Sequence, residues 1–354
     1  MFVQEVYTKK DEAKMAILYD KFSSLLEFMN KKQKDNGLTP LHVTALSNNQ
    51  SKVKKLILSD DNIDAQCDNL RETPLHKAVK SGHLSIVKML SEYGANINAQ
   101  CKSLQTPIHK AAIFEKEDIL RLLIKHGADV NAMSNLETPL NIAARKGLSG
   151  IAQILLDSKA DIECKSNFRN ITPLFIAAAH NHRSVLDMLI RKGANVHAKD
   201  TFLQETALHE AAHHGHIKIA RVLLDNGINI NEQDINGNTP LSLAAVNGKL
   251  EIAKLLISKG ASTELNAPLY RAVNANQIEI VEILLNNGAN IDGKDFPVHA
   301  ACGIDHNKIL QLLLHYQPNL NKKNSRNYTS QEIALENKRV NSLKMLSYYK
   351  SRSP

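Results

Sequence analysis

Apolar residues recur at helical spacing in short paired blocks along most of the chain, and the clearest block is Thr73 to Gln100, TPLHKAVKSGHLSIVKMLSEYGANINAQ. Leu75, Ala78 and Val79 lie three and four residues apart or adjacent, which puts them on one face of a first helix. Ile86, Val87, Met89, Leu90 and Tyr93 give a second helix a broader apolar stripe. The boundaries are written into the same string. Thr73 is a good N-cap, and Pro74 suits the first helical position, where its missing N–H has no partner to lose. Gly82 and Gly94 supply the left-handed stops that end the two helices. Ala95 to Gln100 then predict an extended finger leading to the next capping threonine.

Copies of this block start at residues 39, 73, 106, 138, 172, 206 and 239, with weaker echoes at 267, 296 and 329. The leading string stands as Thr39-Pro40-Leu41-His42, Thr73-Pro74-Leu75-His76, Thr106-Pro107-Ile108-His109, Thr138-Pro139-Leu140-Asn141, Thr172-Pro173-Leu174-Phe175, Thr206-Ala207-Leu208-His209 and Thr239-Pro240-Leu241-Ser242. This resembles the ankyrin repeat, whose period is about 33 residues and whose signature is T-P-L-H-x-A. The resemblance implies an all-α, ankyrin-type solenoid of about ten helix-turn-helix repeats with short β-hairpin fingers. Each unit is too small to bury its own apolar face, so stability comes from stacking on neighbours.

The register predicts four stretches: N-terminal capping helices over 1–35, seven well-formed repeats over 36–265, two degenerate repeats with shortened fingers over 266–324, and a basic capping repeat over 325–354. Two departures from the repeat predict local strain. Asp60 and Lys159 stand where other second helices end in glycine, and Arg71, Leu104, Leu136, Asn170 and Gln204 stand where the family usually has glycine before the capping threonine. If those turns keep a positive φ, each non-glycine residue costs on the order of 1 kcal/mol.

Composition narrows the picture further. No stretch approaches the roughly 18 consecutive apolar residues of a membrane span, and the first residues lack the apolar segment of a Sec signal peptide. The four cysteines read as reduced thiols, so the expectation is a cytoplasmic, monomeric protein, with secretion into a host cell by a non-Sec route as the variant. The net charge of +8 concentrates at one end. From His306 onward nine basic residues face two acidic ones, a local balance of +7. Lys322, Lys323, Arg326, Lys338 and Arg339 are the candidate contacts to nucleic acid or an anionic membrane, although a solvated outer cap would carry the same charge.

One string imitates catalysis: His209-Glu210-Ala211-Ala212-His213 matches H-E-x-x-H, in which two histidines bind zinc and the glutamate acts as base. The register argues against it, because His209 is the repeated histidine and Ala211-Ala212 the repeated alanine pair. No phosphate-cradling glycine loop or nucleophile with its base is present, so no catalytic residue, cofactor or metal is assigned.

A scaffold fixed by repeated residues must carry specificity in those that vary. The resemblance places these in the fingers and at the ends of first helices, on the concave face. The finger slots include Glu72, Glu137 and Glu205, and the helix-end slots include Lys80, Lys146 and Asn247. In a central strip these slots hold Ile113, Phe114, Arg145, Phe168, Arg169, Ile171, Phe202 and Leu203, joined by the variable histidines His180, His213 and His214. Exposed aromatics and arginines concentrate binding energy, so this strip is the expected partner-binding face. His182 and His216 fall instead in a repeated slot and read as structural. The expected function is a non-enzymatic protein-protein interaction scaffold. The alternative is an adaptor or effector, possibly host-directed, that also grips an acidic surface through its basic C-terminal end.

Overall fold

The computed structural model describes residues 37–67, 69–167 and 169–351, so the capping helices expected over 1–35 lie outside the described residues. The chain divides into two compact units, residues 1–103 and 104–354. In the first unit, α1 (Pro40–Leu46) pairs with α2 (Gln50–Leu58), and α3 (Pro74–Ser81) with α4 (Leu84–Glu92).

The second unit repeats that hairpin eight times among its described residues. The pairs are α5 (Pro107–Ile113) with α6 (Glu117–Lys125), α7 (Pro139–Lys146) with α8 (Ser149–Asp157), α9 (Pro173–Ala179) with α10 (Arg183–Arg191) and α11 (Ala207–His214) with α12 (Ile217–Asp225). They continue as α13 (Pro240–Val246) with α14 (Leu250–Ser258), α15 (Pro268–Asn274) with α16 (Ile278–Asn286), α17 (Pro297–Ile304) with α18 (Asn307–His315) and α19 (Ser330–Glu336) with α20 (Val340–Lys350). First helices pack on first helices and second on second, so each unit has a layer of each. The core is a repeated course of Ile108, Leu140, Leu174, Leu208 and Leu241, all at most 1% exposed, backed by the alanine pairs. Small alanines there let neighbouring helices approach closely.

The fingers are not hairpins with strands. Among the described residues they close as tight turns, with isolated antiparallel bridges at Lys199–Thr206 and Lys323–Thr329. Successive fingers are nonetheless tied backbone to backbone. The amide of Asn167 donates to Leu136 O at 2.8 Å, that of Thr201 to Arg169 O at 3.1 Å and that of Ile235 to Leu203 O at 2.8 Å.

The repeated histidine explains the coupling of cap and stack. At Thr106 the backbone N–H donates to His109 Nδ1 at 3.1 Å, and at Thr206 to His209 Nδ1 at 3.1 Å. With Nδ1 accepting, the proton sits on Nε2, which donates to the carbonyl just before the next cap: His109 to Glu137 O at 3.2 Å and His209 to Asn238 O at 3.0 Å. His42 does the same toward Glu72 O at 2.9 Å within the first unit. One side chain therefore closes a helix N-terminus and clamps the next repeat. Where Asn141 replaces the histidine, the shorter amide leaves its buried Nδ2 without a partner.

A second histidine clamp runs backward. His182 Nε2 pairs with Arg145 O at 2.9 Å and His216 Nε2 with Ala179 O at 3.2 Å, which makes both structural, as their slot suggests. Gly147 is required there, because a Cβ would collide with the His182 ring.

The expected strain is present at most positions. Arg71, Leu104, Asn170 and Gln204 keep φ between 53° and 59°, while Leu136 escapes the left-handed region as Ser134 Oγ braces its turn. Asp60 and Lys159 adopt φ of 65° and 68° in place of glycine. Lys159→Gly is therefore expected to raise stability by about 0.5–1 kcal/mol, the relief of left-handed strain less the added freedom of the unfolded chain. Urea unfolding followed by circular dichroism checks it, and an unchanged or lower midpoint contradicts it.

Candidate functional site

All the expected partner-binding residues among those described lie in the second unit, but they do not form one exposed strip. Phe168 lies outside the described residues. Ile113, the last residue of α5, and Phe114 beside it are half-buried, and Ile113 O accepts from Lys146 Nζ at 2.7 Å. Ile171 and Leu203 are also half-buried.

The arginines depart most from expectation. Arg169 is not a groove-facing arm: its side chain is 11% exposed and fills the centre of an acidic nest. Nε and Nη2 donate to Asp200 Oδ2 at 2.8 and 2.6 Å, Nη2 also to Glu205 Oε2 at 2.9 Å, and Nη1 to Glu210 Oε1 at 2.8 Å. The guanidinium carbon lies 5.3 Å from the centre of the Phe175 ring. A planar five-donor fork can serve three carboxylates at once, which an ammonium cannot. Asp200 and Glu205 side chains are fully buried, so the glutamate read as a finger contact is part of the interior. The same correction holds for Glu72, which pairs with Lys77, and for Glu137, which takes Arg145 through two contacts, Nη2 to Oε1 at 2.7 Å and Nε to Oε2 at 3.3 Å. Arg145 is thereby held as a structural tie with a quarter of its side chain still in solvent.

The histidines gather beside this nest. His214 Nε2 lies 3.2 Å from Glu210 Oε2, His213 stands edge-on to His214, and His180 stacks near His182. His213 Nδ1 accepts from Asn247 Nδ2 at 3.1 Å. His180, exposed over much of its surface, has a pKa held below the usual imidazole value, first by desolvation and then by the charge of Arg145. The H-E-x-x-H string has no free ligand pair, since Thr206 and Asn238 occupy both His209 nitrogens and Glu210 is committed to Arg169. Among the described residues no set of three histidine, cysteine or acidic side chains is placed to hold a metal ion.

Beyond this nest, the turn tips are apolar. Phe202 is 59% exposed and Ile235 67%, joined by Leu104 and Leu136 on other fingers. Sequence reasoning singled out Phe202 alone. Leu104 and Leu136 had been seen only as misfits in a glycine slot, yet a large apolar side chain at a solvent-facing turn is itself the signal. The shortened fingers leave a cavity of about 360 Å³ lined by Glu264, Tyr270, Lys294 and Asp295 among others.

The repeated hairpin, its cap-and-clamp histidines and the tied fingers are matched by a family profile described as "Ankyrin repeats (3 copies)", over residues 14–101, 99–166, 149–234, 174–268, 230–295 and 269–352. The chain belongs to the ankyrin repeat family. Among solved structures it is similar to the ankyrin repeat domain of human ASB11, at 26% identity and a TM-score of 0.56, with 64% of this chain and 99% of that one covered. It is also similar to the ankyrin repeat domain of Bcl-3, described as a unique member of the IkappaB protein family, at 30% identity and a TM-score of 0.55, covering 58% of this chain and 94% of that one. A search of the curated proteins gives no match. Ankyrin repeats are in general protein-protein interaction domains, and no helix among the described residues is long and apolar enough to cross a membrane.

Proposed function

We propose that this ankyrin repeat protein is a non-enzymatic scaffold that docks a partner protein across the fingers and first-helix ends of its second unit. The observation that carries this reading is the row of large apolar side chains left in solvent at Leu104, Leu136, Phe202 and Ile235. Large apolar side chains left in solvent on successive turns, in the pairs Leu104 and Leu136 and Phe202 and Ile235, offer a partner anchors, and aromatic anchors dominate interface energetics. Arg169 and Arg145 hold the fingers in place from within, while Phe114, His213 and His214 supply the adjoining helix-end contacts. The scaffold acts as a cytoplasmic monomer whose well-formed repeats span 36–265, followed by the shortened fingers of 266–324 and the basic repeat of 325–354.

The test is a pull-down with wild type beside a Phe114→Ala, Phe202→Ala, Ile235→Ala variant. Each anchor is expected to contribute about 1–2 kcal/mol, so the variant should lose at least about a hundredfold in affinity at unchanged helicity. A partner held equally by both proteins would refute the assigned face.

A further inference from the structure

The layer of second helices carries a hollow of its own. There α10 and α12 pack against each other, and residues of both line a cavity of about 210 Å³: Arg183, Ile217, Lys218, Arg221, Val222 and Asp225. Half of that lining is cationic. Lys218 and Arg221 are exposed and enter no ion pair among the described residues. The carboxylates beside them are already engaged. Asp187 Oδ2 accepts from Arg183 Nε at 3.3 Å, and Asp225 Oδ1 accepts from Lys259 Nζ at 3.0 Å. Four cations thus stand against two carboxylates, an excess of two positive charges at the cavity.

The pairing of Lys218 with Arg221 sets α12 apart. They stand three residues apart on one helix, close enough for like charges to repel. The same two places hold Asp118 and Arg121 on α6, Gly150 and Gln153 on α8, Ser184 and Asp187 on α10, and Glu251 and Lys254 on α14. On α14 the two attract, with Lys254 Nζ 2.9 Å from Glu251 Oε1. A like-charged pair of the other sign, Glu279 and Glu282 on α16, lines neither this cavity nor the one at the shortened fingers. On α12 the two cations line a hollow together with a third, an arrangement that costs energy until an anion enters it.

We propose that this cavity binds a phosphate monoester, with Arg183, Lys218 and Arg221 donating to its terminal oxygens. The charges match: a phosphate monoester carries about −1.5 to −2 at neutral pH and three strong acceptor oxygens. A carboxylate brings one charge and two oxygens, and would leave a cation unmatched. The guanidinium fork suits phosphate oxygens in pairs, and the ammonium serves as a point charge. Ile217 and Val222, both half-buried, offer an apolar wall to the first carbons of the ester. Sites for whole small molecules commonly enclose about 300–1,000 Å³, so the smaller hollow here suits a phosphorylated group and not an entire nucleotide. None of these residues belongs to the fingers or first-helix ends of the proposed docking face, so the two readings stand or fall separately.

The full chain is titrated calorimetrically with phosphoserine and with a phosphoserine peptide, and at matched ionic strength with acetate and the unphosphorylated peptide. Both phosphate probes should bind, more weakly as salt rises, and both controls should not. Equal affinity for the two phosphate probes assigns the site to a free phosphate ester, and tighter binding of the peptide assigns it to a phosphorylated protein. Lys218→Ala with Arg221→Ala should weaken phosphoserine binding at least about tenfold. Lys254→Ala, which removes an exposed cation from the next second helix, should leave it unchanged, both variants keeping wild-type helicity. The proposal is overturned if neither phosphate probe binds, if acetate binds as phosphoserine does, if the double variant binds as wild type does, or if Lys254→Ala weakens binding as much.

Discussion

Replacing Arg169 by methionine is expected to cost about 3–5 kcal/mol of stability, because it strands three carboxylates in the interior with their cation gone. Asp200 and Glu205 have no side-chain exposure and Glu210 has 8%, so water cannot take over from the guanidinium. Asp200 would keep the amide donors of Leu203 and Glu205, at 3.1 and 2.9 Å, and would suffer least. The pH dependence separates this from simple loss of packing. Burial without a counter-charge raises the carboxyl pKa values of the folded variant, so its native state binds more protons than its unfolded state and is relatively stabilised as pH falls. The deficit against wild type, read by urea unfolding, should therefore be largest near neutral pH and shrink toward about pH 5. An exposed contact arm would change stability by about 0.5 kcal/mol or less at every pH, and that result would return Arg169 to the binding face.

The second large effect is the loss of stability in acid through the clamp histidines. Burial holds His109 down from 6.5 to about 4, and His42, His216 and His299 are lowered for the same first reason. Protonating Nδ1 would also expel the threonine amide that donates to it. Each such group contributes stability that is whole above the unfolded pKa and is lost as pH drops through the folded one, a window for His109 of about 6.5 down to 4. The shift corresponds to about 3 kcal/mol for His109. His109→Asn, the residue the next repeat already tolerates at Asn141, should cost about 1–2 kcal/mol at neutral pH and visibly less near pH 4.5, since it removes the proton-linked part. Parallel unfolding curves for the two proteins across that range would show that the histidine is not the acid-sensitive element.

What these residues have in common decides how far the sequence could be read. The repeated histidines were legible as parts of the scaffold because their place repeats, three residues after the capping threonine at His42, His76, His109 and His209; the forward bond to the next repeat came only from the structure. The false zinc motif was legible for that reason too. Lys159 and Asp60 were legible as strained corners because backbone conformation at a helix end is set locally. Arg169 was misread because its partners, Asp200, Glu205 and Glu210, belong to the next finger and helix, and nothing in local spacing says whether a side chain turns toward the groove or into the stack. The apolar tips of Leu104 and Leu136 were missed for the converse reason: the glycine rule described their backbone and drew attention away from where their side chains end.

The sequence by itself determined the repeat, its helix boundaries, its caps and the residues that fill the course between helices, since each of these follows from contacts within one hairpin or between identical places in successive ones. The tertiary structure alone decided which variable residues remain in water. It drew Arg169, Arg145 and three finger glutamates inward as ion pairs and left Phe202 and Ile235 in solvent. The physical reason is that burial of a charge depends on finding an opposite charge at the right distance in another repeat, and that distance exists only once the repeats have stacked.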